Sequence, residues 1–242
     1  SFIADYRVAK DAVLRKIPAA WIDRARTNLH IAYQHTSHGT HVAYGLYGLP
    51  GFKAGDDVRF GICTPWERDV NKLEFHDYAL GDYADPGVDA ADLSRNERAF
   101  YRATRNFLND PANARINVVM WSWCDISYHD VAGNYLPGMA ALINEYGVGG
   151  SNARAALTPV HFIFMTGHAN PDANIGDGMP RNQAEIITNF CGTNGLFCLD
   201  YHSIDTHAMD DAYYADAGDN GDSDVGGLFY TNWQATNTLG VA

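Results

Sequence analysis

The chain has 242 residues, of which 46% are hydrophobic, 19% charged and 12% aromatic. That length and apolar content support a substantial core and exclude intrinsic disorder, while no apolar run reaches the roughly 18 residues of a membrane helix. The formal net charge is −12 with no basic patch, which argues against nucleic acid and anionic membranes and leaves neutral, cationic or metal-bearing partners.

Residues 3–27 read as helical, interrupted at Pro18. Asn28 to Tyr33 is a short, largely apolar run that predicts a buried strand. His35-Thr-Ser-His-Gly39 follows as a polar turn, with a helix starting over 40–48. Residues 50–93 form an irregular excursion punctuated by Gly, Pro and Asp. Ser94-Arg-Asn-Glu97 reads as a capping box opening a helix that Asp110-Pro111 stops. Strands are then expected at 116–121, 160–165 and 195–200, with helices at 130–146 and 181–190 between them. An acidic, loop-rich region fills about 208–242.

Strands alternating with helices predict a parallel sheet covered on both faces. The expected architecture is a single domain over 1–242, a three-layer α/β/α sandwich with a mostly parallel sheet. Ligands of such sheets bind outside the carboxyl ends of the strands. Those ends bring together His35, Ser37 and His38; Ser122, Trp123, Cys124 and Asp125; His168 and Asn170; and Asp200, His202, Asp205 and His207. Structural turns do not need histidine, so five of the ten histidines in these segments point to a functional cleft. Ser37, at a tight turn before a helix, is the expected nucleophile, and a serine needs an adjacent base. His207 and His202 are the candidate bases, oriented by Asp205 or Asp200.

These motifs resemble the SGNH/GDSL hydrolases. His35-Thr-Ser-His-Gly39 stands where that superfamily carries its Gly-Asp-Ser block, and Val118 to Asp125 is similar to its third block. Phe164 to His168, the Arg181-Asn182 pair, Leu199-Asp200, and Tyr83 to Gly87 with Asp92-Leu93 are similar to an uncharacterised bacterial branch. The resemblance implies a flavodoxin-like fold and Ser37 as nucleophile, with its own N–H in the oxyanion hole. It implies a C-terminal histidine as base, a nearby aspartate, and esters such as acylated polysaccharides as substrates. The chain departs from the pattern at three places: His35-Thr36 replaces Gly-Asp, Cys124 replaces the oxyanion Asn, and Asp205-Thr-His207 is one residue shorter than Asp-x-x-His. The expectation is an esterase with Ser37, His207 and Asp205 as catalytic residues, lined by His35, His38, Ser122, Trp123, Cys124, His168, Asn170, Asp200 and His202. The alternative is a non-catalytic extracellular protein on the same fold that binds glycans or metal, or self-assembles.

The esterase needs no cofactor, but two metal readings accompany it. His35, His38 and His41, with His168, His202 and His207, suit a transition metal if they converge. Asp216, Asp219, Asn220, Asp222 and Asp224 crowd one Gly-containing loop that partly follows a calcium pattern. Trp123, between two strand-end residues, is expected in the cleft. Four cysteines without a C-x-x-C pair allow either the bridges Cys191–Cys198 and Cys63–Cys124 or four buried thiols. The even cysteine count, with no leader at Ser1, makes an exported protein the expectation.

Overall fold

The computed structural model describes residues 2–170, 173–215 and 217. In chain order it contains strand β1 (Ile3–Ala4), helices α1 (Asp11–Leu14) and α2 (Ala19–Asn28), β2 (His30–Gln34), α3 (Thr40–Gly48) and α4 (Asp56–Arg59). Then come β3 (Ile62–Cys63), β4 (Leu73–His76), α5 (Glu97–Asn109), β5 (Val118–Trp121) and α6 (Leu136–Tyr146). β6 (His161–Met165), α7 (Pro180–Asn194), β7 (Phe197–Leu199) and α8 (Tyr201–Thr206) complete it.

The seven strands form one sheet in the order β1-β7-β6-β5-β2-β4-β3, and every pairing is parallel. Period-2 alternation distributes the strand side chains to two cores. Ala32, Val119, Trp121, Phe162 and Phe164 face α5, α6 and α7, while Ile31, Tyr33, Val118 and Met165 face α3. Side chains on both faces are apolar because helices cover both, which is the three-layer arrangement expected.

The first expected helix is broken up. The chain from Phe2 instead adds β1 beside β7, with Cys198 N–H donating to Phe2 O at 3.1 Å and Asp200 N–H to Ala4 O at 2.8 Å. The excursion at 50–93 contributes β3 and β4 at the other edge. The cap of α5 also shifts: Asn96, not Ser94, is the N-cap and accepts from Ala99 N–H at 3.0 Å.

The two bridges are not formed. All four cysteines are buried free thiols. Cys63 lies on β3 and Cys124 just beyond β5, with β4 and β2 between them. Three strand spacings are about 14 Å, twice the reach of a disulfide. Cys191 and Cys198 do lie side by side between α7 and β7, where contact with the other sulfur, together with burial, holds the Cys198 thiol protonated.

Candidate active site at the carboxyl edge of the sheet

β2 is the topological switch of the sheet. The chain leaves it towards β3 and β4 on one side and later returns as β5, β6 and β7 on the other. The crevice outside β2 is therefore where a ligand belongs. Ser37 stands at that end of the sheet, three residues beyond the last residue of β2.

The turn is built by its neighbours. Gln34 is fully buried; its Oε1 accepts from Leu80 N–H at 2.9 Å and its carbonyl from Ser122 N–H at 3.0 Å. His35 is also buried, its Nε2 2.8 Å from Asp77 Oδ1, which ties the end of β2 to the loop after β4. Gly39 is required: a Cβ there would lie 2.5 Å from His35 Cβ and 2.8 Å from Ser122 Cβ. Between these fixed points Ser37 takes φ +48°, in the left-handed region that disfavours a side chain. Its side chain is exposed, and its N–H donates to no described group.

The Ser37 hydroxyl lies 3.2 Å from Nδ1 of His38. That imidazole is buried and stacks on His168, ring centres 3.4 Å apart and planes 10° apart. The Cys124 carbonyl joins the pair, 3.2 Å from His38 Nδ1 and 2.9 Å from His168 Nε2. His168 Nδ1 is 2.8 Å from the Ala169 carbonyl. His38 Nδ1 cannot accept from Ser37 and donate to Cys124 at once. Without a proton it accepts from the serine; once protonated it donates to the carbonyl. Proton transfer from Ser37 to His38 thus ends in a hydrogen bond already positioned.

Electrostatics around this pair are uneven. Contact with the His38 ring holds the Cys124 thiol below its ordinary value, against burial and helped by Arg95, whose Nε donates to the sulfur at 3.4 Å. Burial pushes Asp125 up, but hydrogen bonds from Ser127 and Asn170 bring it below the usual carboxylate range. Asn170 Nδ2 also donates to Ser127 Oγ at 2.9 Å, knitting the loops after β5 and β6.

Other expected members stand elsewhere. Trp123 is fully buried, its indole N–H donating to Met165 O at 3.0 Å and its ring packed 4.4 Å from Trp121, so it belongs to the core and not to the cleft. The buried Ser122 hydroxyl donates to Trp123 O at 3.4 Å. Asp205 is buried on α8 and accepts from Ala169 N–H at 3.0 Å. His207 follows α8; its Nδ1 donates to Ser203 O at 2.8 Å and its ring stacks on Tyr6 at 3.7 Å. Its other hydrogen-bond neighbour is the Thr206 hydroxyl, so His207 meets neither Asp205 nor Ser37. Asp200 caps α8 and accepts from Thr166 Oγ1 at 2.9 Å, and burial pushes its carboxyl up. Burial, reinforced by the charge of Arg181, pushes His202 down to about 4.

Among the described residues no three His, Cys, Asp or Glu side chains converge as a metal site, so the histidines do not gather as that reading required. Asp216, Asp219, Asp222 and Asp224 of the calcium reading lie outside the described residues. Sequence reading missed Asp77, which sits in the irregular segment with no periodic signal, and Arg95, which it read only as part of a helix cap. It placed His38 in the pocket lining without recognising it as the neighbour of the Ser37 hydroxyl.

A cleft of about 700 Å³ lies along the β4 side. Its lining includes Trp66, His76, Asp77, Tyr78, Tyr83 and Arg115, and Asp77 is the residue that also holds His35. Trp66 is 75% exposed, with its ring edge-on to His76 at 4.9 Å.

No family model, no curated protein and no solved structure matched the chain.

Proposed function

We propose that the protein is a serine ester hydrolase acting on an acylated carbohydrate, of the SGNH type that its motifs resemble, with His38 as the base. The observation that carries this reading is the exposed Ser37 hydroxyl at 3.2 Å from Nδ1 of a buried, stacked histidine. Serine Oγ attacks the acyl carbon as its proton passes to His38 Nδ1. The resulting N–H lies between the leaving group and the Cys124 carbonyl, a neutral acceptor at 3.2 Å from the same nitrogen. The oxyanion meets the Ser37 N–H at the start of the helical turn leading into α3. Collapse expels the alcohol, which takes the proton from His38. Water then attacks the acyl-serine by the same route and releases a carboxylic acid.

The cleft supports the carbohydrate side of the reading. An exposed tryptophan face suits the apolar face of a sugar ring, and the Asp77 and Asp82 carboxylates are acceptors for its hydroxyls. A second reading, glycan binding without chemistry, is favoured by one observation: Cys124 supplies only a weak donor where an oxyanion-binding Asn is expected.

A fluorophosphonate probe separates the two. The expected result is a single adduct mapped to Ser37 and abolished by Ser37→Ala. His38→Gln slows labelling by about 100-fold or more, the scale of a general base, while His207→Gln leaves it within about threefold. No adduct, with a control hydrolase labelled in parallel, overturns the hydrolase reading. Loss of labelling in His207→Gln but not in His38→Gln overturns the choice of base.

A further inference from the structure

The sequence places His168 in the cleft lining; the structure buries it against the ring of His38, with 3% of its surface exposed. Its backbone is clamped on both sides. Gly167 passes so close to the loop after β5 that a Cβ there would lie 2.4 Å from Ile126 Cγ2. Thr166 Oγ1 donates to Asp200 Oδ1 at 2.9 Å, and Ala169 N–H donates to Asp205 Oδ2 at 3.0 Å. The ring itself lies between two carbonyls, Ala169 O at 2.8 Å from Nδ1 and Cys124 O at 2.9 Å from Nε2, and at least one nitrogen donates. A turn of the ring about its last side-chain bond would break both contacts.

His38 has a different task. Its Nδ1 must stay in reach of Ser37 Oγ, 3.2 Å away. The last torsion of a histidine side chain is broad, and a small rotation of the ring plane carries that nitrogen out of line with the hydroxyl. Misplacement of a reacting group by 1 Å is enough to cost about 100-fold in rate. The face of His168, with ring centres 3.4 Å apart and planes 10° from parallel, leaves the His38 ring one plane. The Cys124 carbonyl meets both rings, so the pair is registered by the stack and by a common acceptor.

We propose that His168 is a positioning residue for the hydrolysis: its clamped ring fixes the plane of His38 so that Nδ1 faces the Ser37 hydroxyl. The inference rests on His38 acting as the base. His168→Ala and His168→Phe both remove the ring nitrogens and leave the same two carbonyls, so a loss of stability weighs on both. Only His168→Phe keeps a flat ring against His38. Fluorophosphonate labelling of Ser37 is followed against probe concentration in each folded variant. His168→Ala is expected to lower the saturating rate about tenfold, the worth of one stacked ring pair, at an unchanged half-saturating concentration. His168→Phe is expected to stay within about threefold of the parent. In the unsubstituted protein, cross-relaxation between the ring protons of His38 and His168 is expected, and its absence overturns the proposal even where the variants fail to fold. A parent that does not label, or labels no faster than His38→Gln, overturns the choice of His38 as base and this inference with it. Labelling that depends on His38 but is unchanged in His168→Ala, or equally slow in both variants at position 168, overturns this inference alone.

Discussion

Ser37 and His202 are both held in states that an isolated residue avoids. For Ser37 the cost is conformational: φ +48° is disfavoured by about 1 kcal/mol for a residue with a Cβ. The packing of His35, Gly39 and Ser122 fixes it there and turns the hydroxyl outward. For His202 the cost is electrostatic, and it appears as a pH dependence of stability. The folded ring titrates at about 4 against an ordinary 6.5, so between those values the unfolded chain binds more protons. Its contribution is therefore complete above the unfolded value, lost as pH falls towards the folded one, and constant below. From pH 7 to 4.5 the loss is about 2.5 kcal/mol by linkage. Other groups also titrate over this interval, so the quantity to measure is a difference. Urea unfolding of the parent is expected to lose about 2.5 kcal/mol more than that of His202→Gln over this interval. Equal losses would mean that His202 is charged, or solvated, in the folded protein.

At the scale of elements, the long periodic segments were legible and the short ones were not. β2, β5, β6 and β7 stand out as apolar runs because both of their faces are covered. β3 and β1 have only two residues each, too few for any period. β4 contains a buried Glu74, paired with Arg115 at 3.0 Å, and a polar residue inside a strand hides it from a hydrophobicity reading. The candidate site divides in the same way. Ser37 was legible from a strand–turn–helix order, but the neighbour of its hydroxyl depends on one backbone angle that sequence spacing does not carry. Trp123 was misplaced because alternation continues one turn past β5 and takes its ring inward.

Helix pairing offers a sharper test of packing. The first turn of α6 contains Gly138, where a Cβ would lie 2.0 Å from a ring carbon of Tyr101 on α5. That ring is fixed by its hydroxyl, which donates to Tyr135 O at 2.8 Å. Gly to Ala within a helix ordinarily gains about 1 kcal/mol, whereas overpacking a core costs about 1–3 kcal/mol. A contact this close makes the second effect larger. Gly138→Ala is expected to destabilise the protein by about 2 kcal/mol in chemical unfolding. In a Tyr101→Ala background the same change is expected to stabilise it, by up to about 1 kcal/mol. A destabilisation of equal size in both backgrounds would place the strain elsewhere.

At the scale of the whole molecule, the sheet is closed at one edge by the start of the chain. β1 lies outside β7, so the last of the described strands is flanked by the first. The segment does more than pair. Phe2 packs on Phe197 at 5.0 Å, Tyr6 N–H donates to Ser203 Oγ at 3.2 Å, and the Tyr6 ring covers His207. Without it β7 becomes an edge strand with unpaired backbone groups, and α8 loses its outer support. Deleting residues 2–9 is expected to lower Tm by about 5 °C, the equivalent of about 2 kcal/mol for a chain of this length. The loss should be local before it is global. Amides of β7 are expected to exchange with solvent much faster than in the parent, while those of β2, β5 and β6 keep their protection. Labelling of Ser37, anchored by β2 and β4, should persist. Unchanged protection across β7 in the truncated chain would show that the sheet is held at β6 alone and that the first strand is dispensable.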